Sequence, residues 1–206
     1  MSNSIINIDS IIKDINVRTN VITSKFRPIS WQAKVALFTS QCSSLYGYQL
    51  WQLDNPKIKE LCTGWRVCSR KILGLHPCTR SYLLHNVMET MPIDDILMSR
   101  ILGFFIHGLK HENKYISSFF KNTLLSNSSY MLVNINTILD KFVIKYIDLF
   151  SLNKNDVKKI IKRSVSEPDW RCSSLKELLS LRENQIQCEL DQTEVNEMLL
   201  YISTYR

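Results

Sequence analysis

The hydrophobic positions of the chain recur at alternating spacings of three and four residues, which is the period of one face of an α-helix. The stretch 30–75 shows this most clearly. Its first half has apolar side chains at Trp31, Val35, Phe38, Cys42 and Leu45. Ser30 stands where a helix N-cap belongs, and Gly47 is predicted to end the helix. The pattern therefore predicts a capped helix that begins at residue 31.

A second helix is predicted after the turn at Asp54 and Asn55. Pro56 suits its first position, where a missing N–H has no intrahelical partner to lose, and Gly74 is its predicted terminator. Its apolar face consists of Ile58, Leu61, Cys62, Trp65, Cys68 and Ile72. Its opposite face carries Lys59, Thr63, Arg66 and Arg70. The two helices are predicted to form a hairpin with one apolar side and one basic side.

The same periodicity predicts helices along the rest of the chain. They are expected over residues 5–26, in a short segment that Thr79 caps, after Pro92, and over 113–124, 137–150 and 154–165. Near the end, Ser174 and Glu177 form a predicted capping box, and Thr193 is a predicted cap for the last helix. With few glycines and prolines, the sequence predicts an all-α helical bundle with a small helical C-terminal tail.

Charge adds a partner class to this picture. The chain has 26 lysines and arginines against 19 acids, so its net charge is +7. Residues 171–206 hold four cations and six acids and carry −2, which leaves +9 on the other residues. We read a basic helical body and an acidic tail. An excess of this kind favours a polyanionic partner.

The N-terminal residues lack the basic start of a secretory signal, and the apolar run Ile101–Leu109 is too short to span a membrane. We therefore expect an intracellular protein, nuclear or cytoplasmic, without a membrane partner. Its six cysteines are expected to stay reduced.

Several phrases resemble the C-terminal region of non-LTR, LINE/jockey-like retrotransposon reverse transcriptases. They are LFTSQCSSLYGYQLW, WRVCSRKILGL, TRSYLLH, PIDDILMSRILGFF, KELLSLREN and VNEMLLYIST. The resemblance implies a thumb-like helical bundle over residues 1–76, a post-thumb helical region over 77–168 and an acidic helical tail over 169–206. It also implies contact with the template–primer duplex. The residues that match the family's motifs, and to which the resemblance extends this contact, are Tyr46, Trp51, Trp65, Arg66, Arg70 and Lys71.

The polymerase palm of that family is not found in the sequence, nor is its upstream endonuclease. The adjacent pair Asp94 and Asp95 falls in the first turn of a predicted helix, whereas two-metal phosphoryl transfer needs carboxylates that converge on ions roughly 3.5–4 Å apart. We therefore expect a non-catalytic C-terminal fragment of an RNA-directed DNA polymerase, not an enzyme by itself. Its implied partners are an RNA–DNA or DNA duplex, bound with low sequence specificity, and a reverse-transcriptase palm supplied in trans.

The candidate nucleic-acid-binding residues lie between Lys57 and Arg80, a stretch with six cations and one acid, Glu60. They are Lys59, Arg66, Arg70, Lys71 and Arg80. Phosphate neutralisation would make such a face bind duplexes with strong salt dependence. The alternative is an ordinary solvated helix face. In that case the chain would be a helical protein-interaction module or a non-functional retroelement remnant.

Two further groups have a structural and a functional interpretation. Trp31 and Trp65 could stack on bases, but their place on the apolar stripes predicts core packing, and Tyr48 and Trp51 are left open. Five metal-ligating side chains also crowd together, at Cys62, Cys68, His76, Cys78 and His85. Their gaps do not match the paired ligands of zinc sites, so we expect reduced core cysteines and no cofactor. This crowding is the one feature that favours an independent enzyme.

Overall fold

The fold was analysed in a computed structural model that describes residues 8–45, 47–126, 129–165 and 173–184. Over these residues the chain forms helices and no strand, which confirms the predicted all-α class. The helices are α1 (Ile8–Lys25), α2 (Trp31–Cys42), α3 (Pro56–Ile72), α4 (Ser81–Val87), α5 (Ile93–Leu109), α6 (Lys114–Leu125), α7 (Tyr130–Phe142), α8 (Lys154–Val165) and α9 (residues 173–184). Short 3-10 helices cover Tyr48–Leu50 and Tyr146–Phe150.

The helices are divided between two compact units, each built from separate stretches of the chain. Of the described residues, those within 8–14, 44–65 and 89–165 belong to the first unit. Those within 15–43, 66–88 and 173–184 belong to the second unit. The division into segments 1–76, 77–168 and 169–206 stays a prediction.

The first unit is organised around α5, which packs against α6, α7, α8 and both 3-10 helices. This helix is apolar on most of its circumference, as a central helix must be. Leu102 and Phe105 are fully buried in its core with Ile135, Leu149 and Ile161. Gly108 allows α6 to approach closely, because a Cβ at this position would overlap the ring of Phe120. The resulting core spans α5 to α8.

A buried amide links the segment after the first 3-10 helix to α7. Asn134 is 3% exposed. Its Nδ2 donates to the carbonyl of Trp51 at 2.7 Å, and its Oδ1 accepts from the backbone N–H of Leu53 at 2.9 Å. Both ends of this buried polar group are therefore satisfied, which removes most of its desolvation penalty.

The ends of α2 and α3 follow from local side-chain chemistry. Ser30 Oγ accepts from the N–H of Ala33 at 3.2 Å, so the predicted N-cap of α2 is confirmed. Pro56 is the first residue of α3, as predicted. Gly74 has φ +62° and follows the end of α3. Its N–H and that of Leu75 donate to the carbonyls of Lys71 and Arg70, which is the Schellman pattern.

Both predicted apolar stripes of the stretch 30–75 are buried. In α2 and the residues after it these are Trp31, Val35, Phe38, Cys42 and Leu45. In α3 they are Ile58, Leu61, Cys62, Trp65, Cys68 and Ile72. The helical period in the sequence thus located the inner faces of both helices correctly.

Several predicted helix ends are wrong. Helix α2 ends at Cys42, and Gly47, with φ +78°, precedes the first 3-10 helix instead of ending α2. Arg80, not Thr79, is the residue before α4. Ser174 lies within α9, and Thr193 falls outside the described residues.

The helix predicted over 137–150 is also wrong. Helix α7 spans Tyr130–Phe142, and Val143 ends it in the left-handed conformation, with φ +54°. The next helical residues form the 3-10 helix Tyr146–Phe150. The sequence pattern missed this break because the apolar spacing continues through it and the breaking residue is a valine.

Candidate nucleic-acid interface

The second unit contains four of the five cations that the sequence singled out. Arg66, Arg70, Lys71 and Arg80 belong to it, and Lys59 belongs to the first unit. Lys59, Lys71 and Arg80 are exposed, whereas Arg66 and Arg70 are half-buried. The structure therefore assigns the C-terminal turns of α3 and the start of α4 to the second unit, and Lys59 to the first.

Arg70 connects the end of α3 to the start of α4. Its Nε donates to the carbonyl of Thr79 at 2.9 Å, and its Nη2 donates to Ser81 Oγ at 2.8 Å. The Schellman turn at Gly74 directs the intervening chain back toward this guanidinium. Because both acceptors are neutral, these bonds fix the position of Arg70 without cancelling its charge.

Lys71 is held in the same way. Its Nζ donates to Asn20 Oδ1 on α1, a neutral amide. Two carboxylates hold Lys57 of the first unit instead, since its Nζ lies 3.0 Å from Asp9 and 2.9 Å from Glu60. The side-chain hydrogen bonds to Glu60 and Asp9 raise the pKa of Lys57. The described partners of Arg70 and Lys71 are neutral and leave the positive charge of these two residues in place. The carboxylate partners of Lys57 largely offset the charge of that lysine.

The two continuous segments of the second unit, 15–43 and 66–88, contain eight cations and no carboxylate. The cations are Arg18, Lys25, Arg27, Lys34, Arg66, Arg70, Lys71 and Arg80. Among the described residues of this unit, the carboxylates are Glu177 and Glu183 of α9. Glu183 accepts from the backbone N–H of Trp31. The sequence of these two segments therefore supplies no carboxylate to offset their eight cations.

Sequence reasoning singled out the cations of segment 66–88. It missed that the four cations of segment 15–43 belong to the same compact unit. Arg18 donates to the carbonyl of Gln41, and Lys34 Nζ donates to that of Arg27 at 3.0 Å. Burial lowers the pKa of Lys34, although the charge of Glu183 opposes this shift. The available signal was the absence of Asp and Glu from both segments, which a search for clusters of cations overlooks.

The tryptophans of the stretch 30–75 and two of the crowded cysteines lie in the core, whereas the prediction that Cys78 is a core residue is wrong. Trp31 and Trp65 are buried, which confirms their predicted core packing, and Trp51 is buried as well. Tyr46 lies outside the described residues. Cys62 and Cys68 are buried, whereas Cys78 is exposed. Across the part of the chain that the structure describes, no three His, Cys, Asp or Glu side chains are grouped as metal ligands would be.

The adjacent aspartates lie in the first turn of α5, as expected. Asp95 is 5% exposed, and its Oδ1 accepts from Lys141 Nζ at 2.7 Å. Asp94 lies 3.6 Å from the same nitrogen. Burial alone would lower the pKa of Lys141, but its bond to Asp95 and the charges of both aspartates raise it overall. The pair thus forms a salt-bridge cluster with a lysine of α7.

Within the described ranges, none of the helices has both the length and the apolar character that a membrane crossing requires. Comparison of the chain with protein-family models, with curated proteins and with solved structures finds no match.

Proposed function

We propose that this protein binds nucleic-acid duplexes through phosphate contacts, in the manner of the thumb and post-thumb region of the non-LTR reverse transcriptases that it resembles. In this proposal the chain is non-catalytic and grips a template–primer duplex for a palm supplied elsewhere. The observation that carries the proposal is the acid-free composition of segments 15–43 and 66–88, which contribute eight cations to one compact unit.

Physical chemistry connects that observation to a duplex. Double-stranded nucleic acid carries one negative charge per roughly 1.7 Å of its axis, and cations that neutralise phosphates release condensed counterions. Arg70 is preorganised by neutral acceptors, so less side-chain entropy is lost when it contacts a phosphate. Contacts of this kind position a duplex without reading its sequence, which matches the low specificity that we expect.

The test is a salt titration of binding to duplexes of about 20 base pairs, one RNA–DNA hybrid and two unrelated DNA sequences, followed by fluorescence anisotropy between about 50 and 200 mM NaCl. We expect similar affinities for the three duplexes and a steep linear decrease of log K with log salt. The variant Arg66→Gln/Arg70→Gln/Lys71→Gln should reduce the magnitude of this slope by about 2 to 3, since each lost phosphate contact removes about 0.9.

A matched control removes three exposed lysines of the first unit, Lys114→Gln/Lys121→Gln/Lys159→Gln, and should leave the slope nearly unchanged. Because Arg70 also ties the start of α4 to α3, a second variant, Lys71→Gln/Arg80→Gln, spares it and should reduce the slope by about 2. Equal slopes for the wild type and both test variants, or an equal loss in the control, would reject the proposal.

A second candidate function is a helical protein-interaction module, and the first unit supplies the observation that favours it. Large apolar side chains of α6 are exposed to solvent, with Tyr115 at 88%, Phe119 at 62% and Leu125 at 82%. Exposed apolar groups of this size are typical of protein-binding surfaces. The salt titration separates the two candidates, because an interaction module predicts no salt-dependent binding of duplexes.

A further inference from the structure

A cleft of about 660 Å³ lies within the first unit, between α5 and α8 and beside the first 3-10 helix. Its chemistry is carried by six side chains, namely Tyr48, Arg100, Phe104, Lys110, Lys154 and Lys158. Four of these are cations, and none of the described residues that line the cleft is a carboxylate. A concave site lined by one sign of charge focuses the field and concentrates ions of the opposite sign.

Regular helix geometry positions two of the cations together. Lys154 and Lys158 are four residues apart on α8 and therefore lie on the same face, one turn apart. The stem of Lys154 lies over Gly103 of α5, where an added Cβ would meet its Cγ at 3.6 Å. This distance is ordinary van der Waals contact, so the stem of Lys154 packs against the α5 backbone at Gly103.

Hydrogen bonds also fix the residues that line the cleft just before α8 and at the end of α5. Lys110 Nζ donates to the carbonyl of Leu152 at 2.6 Å and to that of Ser151 at 3.3 Å. Asn153 caps α8, since its Oδ1 accepts from the N–H groups of Asn155 and Asp156 at 2.8 and 3.0 Å. The Asp156 carboxylate is used in the same cap, because its Oδ2 accepts from the N–H of Asn153 at 3.0 Å.

Two aromatic rings face the same space as the cations. The Arg100 guanidinium lies 5.8 Å from the centroid of the Tyr48 ring, a cation–π arrangement between two side chains that line the cleft. Phe104 is half-buried and packs edge-on against Phe120. A bare phosphate would leave most of this volume empty, since ligand clefts of about 300–1,000 Å³ suit organic molecules.

We propose that this cleft binds a nucleoside phosphate, with the phosphate on Lys154 and Lys158 and the base against Tyr48 and Phe104. Lysines bind phosphate as compact point charges, and aromatic faces stack on any base. The same chemistry is presented by a free nucleotide and by one unit of a single strand. The inference goes beyond the proposed function, because this cleft lies in the first unit and shares no residue with the basic surface of the second.

Isothermal titration calorimetry on the full chain tests the cleft. The probes are ATP, AMP, adenosine, inorganic tripolyphosphate, a short oligo(dA) strand and hexaglutamate. We expect ATP to bind more tightly than about 1 mM. The variant Lys154→Gln/Lys158→Gln should weaken it at least about tenfold, because two charge-assisted contacts are lost. The matched control Lys159→Gln/Arg163→Gln removes two charges at the same spacing from exposed positions of α8 and should weaken binding less than about twofold.

The probes also identify the source of the ligand. Tighter binding of the oligo(dA) strand than of ATP would assign the cleft to single strands, and the reverse order would assign it to free nucleotides; both support a nucleoside phosphate. Equal affinity for tripolyphosphate or hexaglutamate would overturn the proposal, since the base would then contribute nothing. Failure of every nucleoside phosphate to bind, or equal weakening in the control, would overturn it as well. The variant Arg66→Gln/Arg70→Gln/Lys71→Gln should still bind ATP, so the two proposals fail independently.

Discussion

Arg70 and Lys141 show how the partner of a charged side chain decides what the charge can do. Lys141 lies between Asp94 and Asp95, so its charge is used within the fold. Arg70 donates to a carbonyl and a hydroxyl, so its position is fixed while its charge can still attract an anion. The sequence identified both residues as cations. It could not distinguish them, because a helical period does not reveal partners in other elements. Asp94 and Asp95 lie far along the chain from Lys141, and Thr79 and Ser81 lie beyond the turn that follows Arg70.

Cys42 leads to a prediction about pH. Burial raises the pKa of its thiol to about 11. The charge of Arg18 opposes this shift, and Cys68 adds to it. The pKa of this thiol is therefore higher in the folded than in the unfolded state, and the protonated buried thiol contributes stability that is fully present below the unfolded pKa. This contribution is lost as pH rises toward 11. Between about pH 8 and 10.5, the free energy of unfolding of the wild type should fall by about 1–2 kcal/mol more than that of Cys42→Ala.

Urea unfolding monitored by circular dichroism, with a reductant present, measures this difference. Cys42→Ala also leaves a small cavity, but that effect is the same at both pH values and cancels in the comparison. Cys78→Ala supplies the control, because it removes a thiol that is exposed instead of buried. We expect this variant to lose as much stability between the two pH values as the wild type. Equal losses in the wild type and Cys42→Ala would contradict the assigned role of Cys42.

At the scale of helices, the sequence predicted best where a boundary depends on neighbouring residues. Ser30 caps α2 and Gly74 ends α3, because a hydroxyl and a missing Cβ act on adjacent backbone groups. The boundaries that failed depend on distant packing. Helix α7 begins at Tyr130 and ends before Val143, although the apolar period suggested neither limit. Helix α6 also exposes the apolar side chains of Ile116 and Phe119, which a helical period alone does not reveal.

The end of α7 gives a prediction about stability. Val143 has φ +54° and is 89% exposed, so its β-branched side chain bears the strain of a left-handed conformation with little packing in return. Val143→Gly should stabilise the protein by about 0.5–1 kcal/mol, because relief of the strain exceeds the added entropy of the unfolded chain. Chemical denaturation measures the change. Val133→Gly, at an exposed interior position of the same helix, should instead destabilise it by about 1 kcal/mol. Destabilisation by both variants would show that Val143 is not strained.

At the scale of the molecule, the sequence predicted the all-α fold class, which the structure confirms. It did not predict that the units are built from separate stretches, nor that α5 organises the first unit. The cleft was missed for the same reason, since Tyr48, Arg100 and Lys154 come from three distant elements. A helical period reports which face of one helix is buried. It contains no information about which helices meet.

The charge distribution predicts how salt affects the stability of the whole molecule. Segments 15–43 and 66–88 contain no carboxylate of their own, so their cations repel one another, and salt screens this repulsion as the Debye length falls to about 8 Å near 0.15 M. Raising NaCl from about 10 to 150 mM should therefore increase Tm by about 2–4 °C.

Arg27→Glu/Arg80→Glu, which places acids within the two segments, should raise Tm at low salt and reduce its dependence on salt. Lys114→Glu/Lys121→Glu changes the net charge equally but acts in the first unit, where acids are already interspersed. Scanning calorimetry of the three proteins distinguishes the cases, and an equal response of both variants would show that net charge alone, not its arrangement, governs stability.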